Sequence, residues 1–157
     1  MMAAVLPALT GCSGFFPPIN GGGGGGGAPG NYVYVANSAT NSLNGFAVGT
    51  GTLTAVPGSP VALQYAPVAM AISRDNRFLY VSSAGSINVY GIGSDGSLTA
   101  TTGTGVTAIG VASMDVSPDG QWLLALGGTS LLAQINVYQR NTSTGALKLT
   151  STGQTSV

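Results

Sequence analysis

Short apolar runs recur along the chain at a spacing of about 44 residues, and each run precedes a tetrad of one shared composition. The tetrad is an apolar residue, an asparagine, any residue and an aromatic residue. The runs begin at Tyr32, Phe78 and Trp122, and the tetrads begin at Leu43, Ile87 and Ile135. The runs do not alternate between apolar and polar residues, which is typical of strands covered on both faces, and no segment shows the helical period. The pattern therefore predicts an all-β chain.

The most complete repeat predicts four strands. They are Pro67–Ser73, Phe78–Ser82, Ser86–Ile92 and Leu98–Thr102. The pair Asp95-Gly96 falls between the third and fourth strands, and Asp-Gly pairs favour tight turns because both residues tolerate positive φ. A period of about 40 to 50 residues built from short strands indicates a β-propeller, in which each repeat forms one blade of four-stranded antiparallel sheet.

The three repeats predict blades at approximately residues 32–66, 67–109 and 110–157. Propellers close with about four to eight blades, so we expect an incomplete propeller from the N-terminal part of a longer protein. The first repeat opens with a second strand at Tyr32, so the first blade is expected to lack its innermost strand. Uncovered blade faces are apolar, and the isolated piece is expected to be unstable or prone to aggregation.

Residues 1–12 are predicted to be a signal peptide that ends in a lipobox. The segment is short and apolar and ends in Leu9-Thr10-Gly11-Cys12, which resembles the bacterial motif whose cysteine is lipidated. A buried free cysteine is the alternative for Cys12. Residues 1–10 contain neither Lys nor Arg, which signal peptides usually carry, so the true start codon is hypothesised to lie upstream.

Residues 13–31 are predicted to be a disordered, glycine-rich linker. Seven consecutive glycines at 21–27 bury no apolar surface and lose much backbone entropy on ordering. A phosphate-binding loop is excluded because no Gly-Lys-Ser/Thr sequence follows. We therefore expect an exported bacterial lipoprotein of the outer membrane or cell envelope, periplasmic or surface-exposed, whose linker holds the propeller off the membrane.

Composition restricts the chemistry of the chain. Charged residues make up 5% of the sequence, against about 25% in an ordinary domain, and the net charge is zero. No basic surface for nucleic acid is therefore expected. The absence of histidine excludes a Ser-His-Asp triad, and no cluster has the spacing of metal ligands, so neither a metal nor another cofactor is expected.

One acidic residue is a candidate for catalysis, although no catalytic residue is assigned. Asp115 lies on the strand predicted to be nearest the propeller axis, where the preceding repeat has Ala71. It is interpreted as a general base or cation ligand, or alternatively as a carboxylate that caps backbone amides or pairs with a neighbouring blade.

Other repeated or charged residues favour structural roles. Asp75 and Asp119 occupy equivalent turns and are expected to bond the local backbone. The repeated asparagines are expected to form hydrogen bonds between blades; they are Asn44, Asn88 and Asn136. Three arginines are interpreted as solvated, or alternatively as ligands of a phosphate or carboxylate; they are Arg74, Arg77 and Arg140.

The repeats resemble the lactonase-type seven-bladed propellers, which include 6-phosphogluconolactonase-like proteins and the YVTN surface-layer repeats. Four stretches carry the resemblance: Phe78-Leu79-Tyr80-Val81-Ser82, Ile87-Asn88-Val89-Tyr90, Asp95-Gly96-Ser97-Leu98 and Val116-Ser117-Pro118-Asp119-Gly120-Gln121. The resemblance implies lactone chemistry at the mouth of the central channel, carried out by acidic, His and Arg side chains. The chain has no His or Glu to match them.

Two functions follow as expectations. The first is a lipid-anchored binding or scaffolding module at the cell envelope, with an envelope protein, a carbohydrate or a small lactone as partner. The second is a sugar-lactone hydrolase, a carboxylic ester hydrolase whose active site lies in blades absent from this chain, which alone is expected to be inactive.

Overall fold

The computed structural model describes residues 31–128 and 132–156. Within these residues the chain forms thirteen β-strands in three antiparallel sheets and no helix. This confirms the all-β prediction and the partial propeller. The predicted signal peptide and all of the linker except Asn31 lie outside the described residues.

The first sheet contains four strands, which are β1 (Tyr32–Asn37), β2 (Ser42–Val48), β3 (Leu53–Ala55) and β4 (Val61–Ala62). The sheet is only three strands across, because β3 and β4 lie on the same side of β2. β3 pairs with the end of β2 and β4 with its start, so both short strands share one edge of β2. β1 occupies the other edge of β2, and within the described ranges no further strand pairs with β1. Within the part of the chain that the structure describes, the first blade therefore has no innermost strand, as predicted.

The second sheet is a complete blade. It contains β5 (Met70–Ile72), β6 (Phe78–Ser82), β7 (Ser86–Ile92), β8 (Leu98–Ala100) and β9 (Val106–Thr107). β6 and β7 have the predicted bounds. The predicted fourth strand is interrupted after Ala100, because the chain turns at Gly103 with φ of 71° before β9 rejoins the edge of β7.

The third sheet has four strands in sequential order. They are β10 (Val111–Val116), β11 (Trp122–Gly128), β12 (Leu132–Arg140) and β13 (Leu147–Ser156). β5 and β10 contact one another, so the first strands of the two complete blades lie side by side at the inner edge.

The asparagine of each tetrad occupies the same register, so equivalent positions can be compared between blades. Asn44 pairs with Val35 in the first blade, Asn88 with Val81 in the second, and Asn136 with Ala125 in the third. The sequence repeat is therefore a structural repeat at the level of single residues.

The core lies between the blades in two clusters. We call the side of a blade turned towards the next blade in the chain its forward face, and the opposite side its backward face. Leu43 on the first forward face packs in one cluster with Val81 on the second backward face. Ile87 on the second forward face packs in the other cluster with Ala125 on the third backward face. All four side chains are buried.

The outermost two faces are uncovered within the described part of the chain. Val35 is equivalent to the fully buried Val81, but it lies on the backward face of the first blade and is 46% exposed. Ile135 is equivalent to the fully buried Ile87, but it lies on the forward face of the third blade and is 43% exposed. Equivalent apolar positions are thus buried between the blades and exposed on the two outermost faces.

Candidate functional site

Five of the eight charged residues of the chain make contacts across the boundary between the second and third blades. We call this set the charged junction. It consists of Arg74, Asp75, Arg77, Asp115 and Arg140. The turns that carry Asp75 and Asp119 join the first and second strands of their blades, so these acids lie at one end of the sheets together with the end of β12. The remaining three charged residues are Asp95, Asp119 and Lys148.

Arg140, the last residue of β12, is the centre of the charged junction. Its Nη2 donates to Asp75 Oδ2 at 2.9 Å, and its Nε donates to the Tyr80 hydroxyl at 2.9 Å. Its Nη1 donates to the Gly120 carbonyl at 2.5 Å. Asp75 and Tyr80 belong to the second blade, so Arg140 joins two blades. Its side chain is only 1% exposed, and all three guanidinium nitrogens have partners. The interpretation of Arg140 as solvated or free to bind a phosphate is therefore wrong.

One sequence signal distinguishes Arg140. The strand register makes it equivalent to Val48 in the first blade and Ile92 in the second, because each residue pairs with the leucine that opens the next strand. An arginine at a position that is apolar in the other blades needs a buried acceptor, since burying an unpaired charge is costly. The replacement of an apolar residue by Arg140 therefore predicts a buried ion pair.

The two acidic turns have the expected geometry. The Ser73 hydroxyl donates to Asp75 Oδ1, which also accepts the Arg77 N–H at 3.3 Å. The equivalent Ser117 hydroxyl donates to Asp119 Oδ1, which accepts the Gln121 N–H at 3.0 Å. The Ser117 hydroxyl and the Gln121 N–H hold the pKa of the Asp119 carboxyl below its usual value. The prediction that both acids bond the local backbone is confirmed.

Arg74 and Arg77 also reach across to the third blade. Arg74 Nη2 donates to the Val116 carbonyl at 2.8 Å, and Arg77 Nη1 donates to the Thr142 carbonyl at 3.4 Å. The Arg77 guanidinium also lies over the Phe78 ring, 5.5 Å from its centroid. The three arginines thus contribute to one blade boundary rather than being scattered.

Asp115 lies on β10, at the inner edge of the third sheet. Its Oδ1 accepts the Val116 N–H at 2.8 Å and is 3.8 Å from Arg74 Nη2. Its side chain is 66% exposed. It pairs in register with Leu124, as Ala71 pairs with Tyr80, so it occupies the position that the repeat predicts. These are the contacts of a carboxylate that caps a backbone amide and pairs with a neighbouring blade, and a role as general base or cation ligand stays a prediction.

The repeated asparagines bond mainly within their own blades. Asn44 Nδ2 donates to the Ser42 hydroxyl at 3.4 Å, and Asn88 Nδ2 donates to the Ser86 hydroxyl at 3.0 Å. Asn136 Oδ1 accepts from Gln134 and from Thr152, both in the third sheet. Side chains two apart on a strand share one face, so the asparagine meets this neighbour before it meets another blade. The prediction of bonds between blades is therefore corrected for Asn44 and Asn136, whereas Asn88 also bonds to the Tyr65 hydroxyl, which lies in the predicted first blade.

Buried tyrosines connect each blade to the next. The Tyr34 hydroxyl donates to the Gly96 carbonyl at 2.8 Å, and the equivalent Tyr80 hydroxyl accepts from Arg140. Burial raises the pKa of both hydroxyls, in Tyr80 to about 12, where the nearby Arg140 opposes the effect of burial. Both tyrosines therefore keep a neutral phenol where the blades meet, and their role is structural.

The free energy of unfolding is expected to fall as pH rises from about 10 to about 12. Tyr80 is neutral in both states below its ordinary pKa of 10.0, so its contribution is fully present there. Above that pH the unfolded chain releases a proton that the native chain retains until about pH 12. The urea midpoint should drop over this range, and Tyr80→Phe should flatten the slope. An unchanged slope in the variant contradicts this assignment.

The described residues contain no group of three or more His, Cys, Asp or Glu placed to hold a metal ion. Among them, no helix has the length and apolar character needed to cross a membrane. Cys12, the predicted lipidation site, lies outside the described residues.

Residues 28–156 match the model of the family described as lactonase, 7-bladed β-propeller. The chain belongs to this family. Its three sheets are then blades of a lactonase-family propeller, which confirms the resemblance inferred from the repeats. No curated protein matches the chain significantly.

Solved structures show the same fold for this lactonase-family chain. A candidate 6-phosphogluconolactonase from Bacteroides fragilis superimposes with a TM-score of 0.69 at 20% identity, over 80% of this chain and 36% of that one. The periplasmic gluconolactonase PpgL of Pseudomonas aeruginosa gives 0.62 at 19% identity, over 80% of this chain and 39% of that one. The chain therefore spans well under half the length of these two proteins.

Proposed function

We propose that this lactonase-family chain is a lipid-anchored binding or scaffolding module of the cell envelope. The proposal rests on the hydrogen bonds that its charged side chains make between blades. All three guanidinium nitrogens of Arg140 bond to protein groups, and Arg74 and Arg77 bond to carbonyls of the third blade. The charged junction holds blades together, which suits a rigid platform for an envelope protein, a carbohydrate or a small lactone.

The anchor is proposed to be a lipid on Cys12, followed by the glycine-rich linker. The wild-type protein, expressed in a Gram-negative host, should partition into the detergent phase with the membrane fraction. Cys12→Ser should move it to the soluble fraction, and Ser13→Ala serves as the matched control that keeps the anchor. A soluble wild-type protein, or a Cys12→Ser variant that stays in the detergent phase, is the contrary result.

The second candidate function is a sugar-lactone hydrolase. The family supports it, and so does the fold shared with a periplasmic gluconolactonase. If the protein is a hydrolase, its acid–base residues come from blades that this chain does not contain. Asp115 is then the residue that this part of the propeller contributes.

An assay of lactone opening separates the two functions. Under the scaffolding proposal, neither the 157-residue chain nor a longer gene product speeds the hydrolysis of glucono-δ-lactone above the uncatalysed rate. Turnover by the longer product that falls at least about tenfold in Asp115→Asn, but not in Asp119→Asn, supports the hydrolase and assigns Asp115 to its site. Asp119 is the matched control because its carboxylate bonds its own turn.

A further inference from the structure

The outer edge of β7 carries a gap in the second sheet. β8 pairs with Tyr90–Ile92 and β9 pairs with Ser86 and Ile87, so Asn88 and Val89 have no strand beside them on this edge. A pocket of about 400 Å³ opens at the gap. Small-molecule sites usually have volumes of about 300 to 1,000 Å³. The second blade packs against the first and against the third, so the pocket belongs to a blade with a neighbour on each side.

The equivalent gap of the first blade is closed by side chains of that blade. There β3 and β4 leave Asn44 and Gly45 of β2 between them. The Gly45 N–H donates to the Ser59 hydroxyl at 3.0 Å. The buried Val56 lies against Gly45, with its Cγ2 atom 2.7 Å from the position that a Cβ on this glycine would take. In the third blade β13 is one strand along the whole of β12, so this gap does not arise there.

The second blade has the same loop with different side-chain contacts. Three of its residues are equivalent to Gly45, Val56 and Ser59; they are Val89, Thr101 and Thr104. The Thr101 N–H donates to the Val89 carbonyl at 3.0 Å, as the Val56 N–H donates to the Gly45 carbonyl. The Thr104 hydroxyl, however, donates to the Thr101 carbonyl at 2.9 Å and also bonds to Thr101 Oγ1. The Val89 N–H therefore lacks the hydroxyl partner that closes the gap in the first blade.

The pocket is polar and uncharged. Asn88, Val89 and Thr101 are among the residues that line it, and none of the lining residues is charged. All eight charged residues of the chain lie in, or within two residues of, the turns that join the first strand of a blade to the second or the third to the fourth. A carboxylate or phosphate would find no opposite charge among the lining residues, and an apolar ligand would leave polar groups unpaired. The pocket is therefore suited to a neutral ligand with several hydroxyl or carbonyl oxygens.

We propose that this pocket binds one sugar unit of a neutral carbohydrate. A sugar oxygen takes the place that the Ser59 hydroxyl has in the first blade and accepts the Val89 N–H. Neighbouring hydroxyls of the sugar bond to the hydroxyls of Thr101 and Thr104. The inference rests on the proposed function in taking a carbohydrate as the partner of the binding module, and it adds the position of the site. This position is the outer edge of a blade, whereas Asp115 lies at the inner edge.

The test follows the backbone amides of the full 157-residue chain by nuclear magnetic resonance during titration with neutral sugars. The probes are glucose, galactose, mannose and N-acetylglucosamine. With at least one of them the amide signals of Val89, Gly103 and Gly105 should shift and saturate, with a Kd of about 1 to 10 mM for a ligand of this size. Glucuronate, which carries a carboxylate, should bind at least about fivefold more weakly than glucose. No shift with any neutral sugar up to about 100 mM overturns the proposal, and so does equal binding of glucuronate.

Two variants close the pocket by different routes. Thr101→Val gives the second blade the side chain that the first blade has at this position, and it frees the Thr104 hydroxyl to bond to the Val89 N–H. Gly103→Asn adds a side chain at a lining position with φ of 71°, which asparagine tolerates. Each should raise the Kd at least about tenfold. Gly58→Asn is the matched control, since Gly58 has a φ of 75° and open space at the equivalent position of the first blade. It should bind like the parent chain.

The position of the shifted signals separates this site from the inner edge. Shifts around Asp115 instead of Val89 overturn the proposal and support binding at the inner edge. Thr101→Val and Gly103→Asn proteins that bind like the parent, with sheet content unchanged by circular dichroism, also overturn it. Failure of the sugar titration leaves the anchor on Cys12 and an envelope protein as partner in place. A Cys12→Ser result that contradicts the anchor leaves the titration unaffected, so the two proposals fail separately.

Discussion

Replacing Arg140 with methionine is expected to lower the free energy of unfolding of the chain by about 2 to 4 kcal/mol. The substitution keeps most of the apolar stem and removes three donors, which bond to Asp75, Tyr80 and the Gly120 carbonyl. Removing one partner of a buried ion pair costs about 3 to 5 kcal/mol. The expected loss is smaller because the Asp75 side chain is 32% exposed and is partly solvated after the change.

Urea unfolding followed by circular dichroism measures this effect, and Arg77→Met is the matched control. Arg77 lies at the same blade boundary, but its one hydrogen bond to the third blade spans 3.4 Å and is exposed. Its loss should cost less than about 1 kcal/mol. Adding Asp75→Asn to both arginine variants completes a double-mutant cycle. An Arg140→Met protein as stable as the parent refutes a role for the ion pair in holding the blades.

The strands were predictable because their signal is local and repeated. β6 and β7 have the predicted bounds. β6 is a nearly continuous apolar run that is buried throughout, and β7 ends where the turn Gly93-Ser94-Asp95-Gly96 begins. The missing inner strand of the first blade was also predictable, because comparison between repeats reveals which element is absent. Repetition supplies this information without any knowledge of tertiary contacts.

The charged junction was not predicted, for a physical reason. The apolar residues at the equivalent positions indicate that Arg140 needs a buried acceptor, but Asp75 lies 65 residues away in sequence and no local pattern identifies it as that acceptor. The asparagine column was misread for a related reason. Repetition indicates that a residue serves the fold, but it does not say whether its partner is two residues away or in the next blade. Asn88 finds Ser86 on its own strand.

The candidate catalytic residue illustrates the limit of the sequence most clearly. The repeat placed Asp115 correctly opposite Leu124, because register follows from the pattern of strands. Its role depends on what faces it across the inner edge, and the three blades place only Arg74 within 4 Å of its carboxylate as a charged partner among the described residues. The sequence therefore determines the position of Asp115, whereas the function of Asp115 depends on groups that other blades would provide.

Replacing Gly145 with alanine is expected to destabilise the chain by about 2 to 5 kcal/mol, more than the usual cost of a glycine change. Two penalties combine at this position. A residue other than glycine at φ of 75° is strained by about 1 to 2 kcal/mol. The new Cβ would also lie 2.5 Å from the Phe78 ring, and forcing a buried ring aside costs about 1 to 3 kcal/mol. Phe78 has little room to move, because it is buried in the cluster between the second and third blades.

Gly103→Ala separates the two penalties, because Gly103 has a similar φ of 71° and no heavy atom within 4 Å of its Cβ position. It should cost only the backbone strain, about 1 to 2 kcal/mol. In urea unfolding, the difference between the two variants measures the contact between ring and glycine. Phe78→Ala combined with Gly145→Ala should cost less than the sum of the single changes, since the clash disappears with the ring. Equal losses from Gly145→Ala and Gly103→Ala would mean that the aromatic residue does not hold the neighbouring blade.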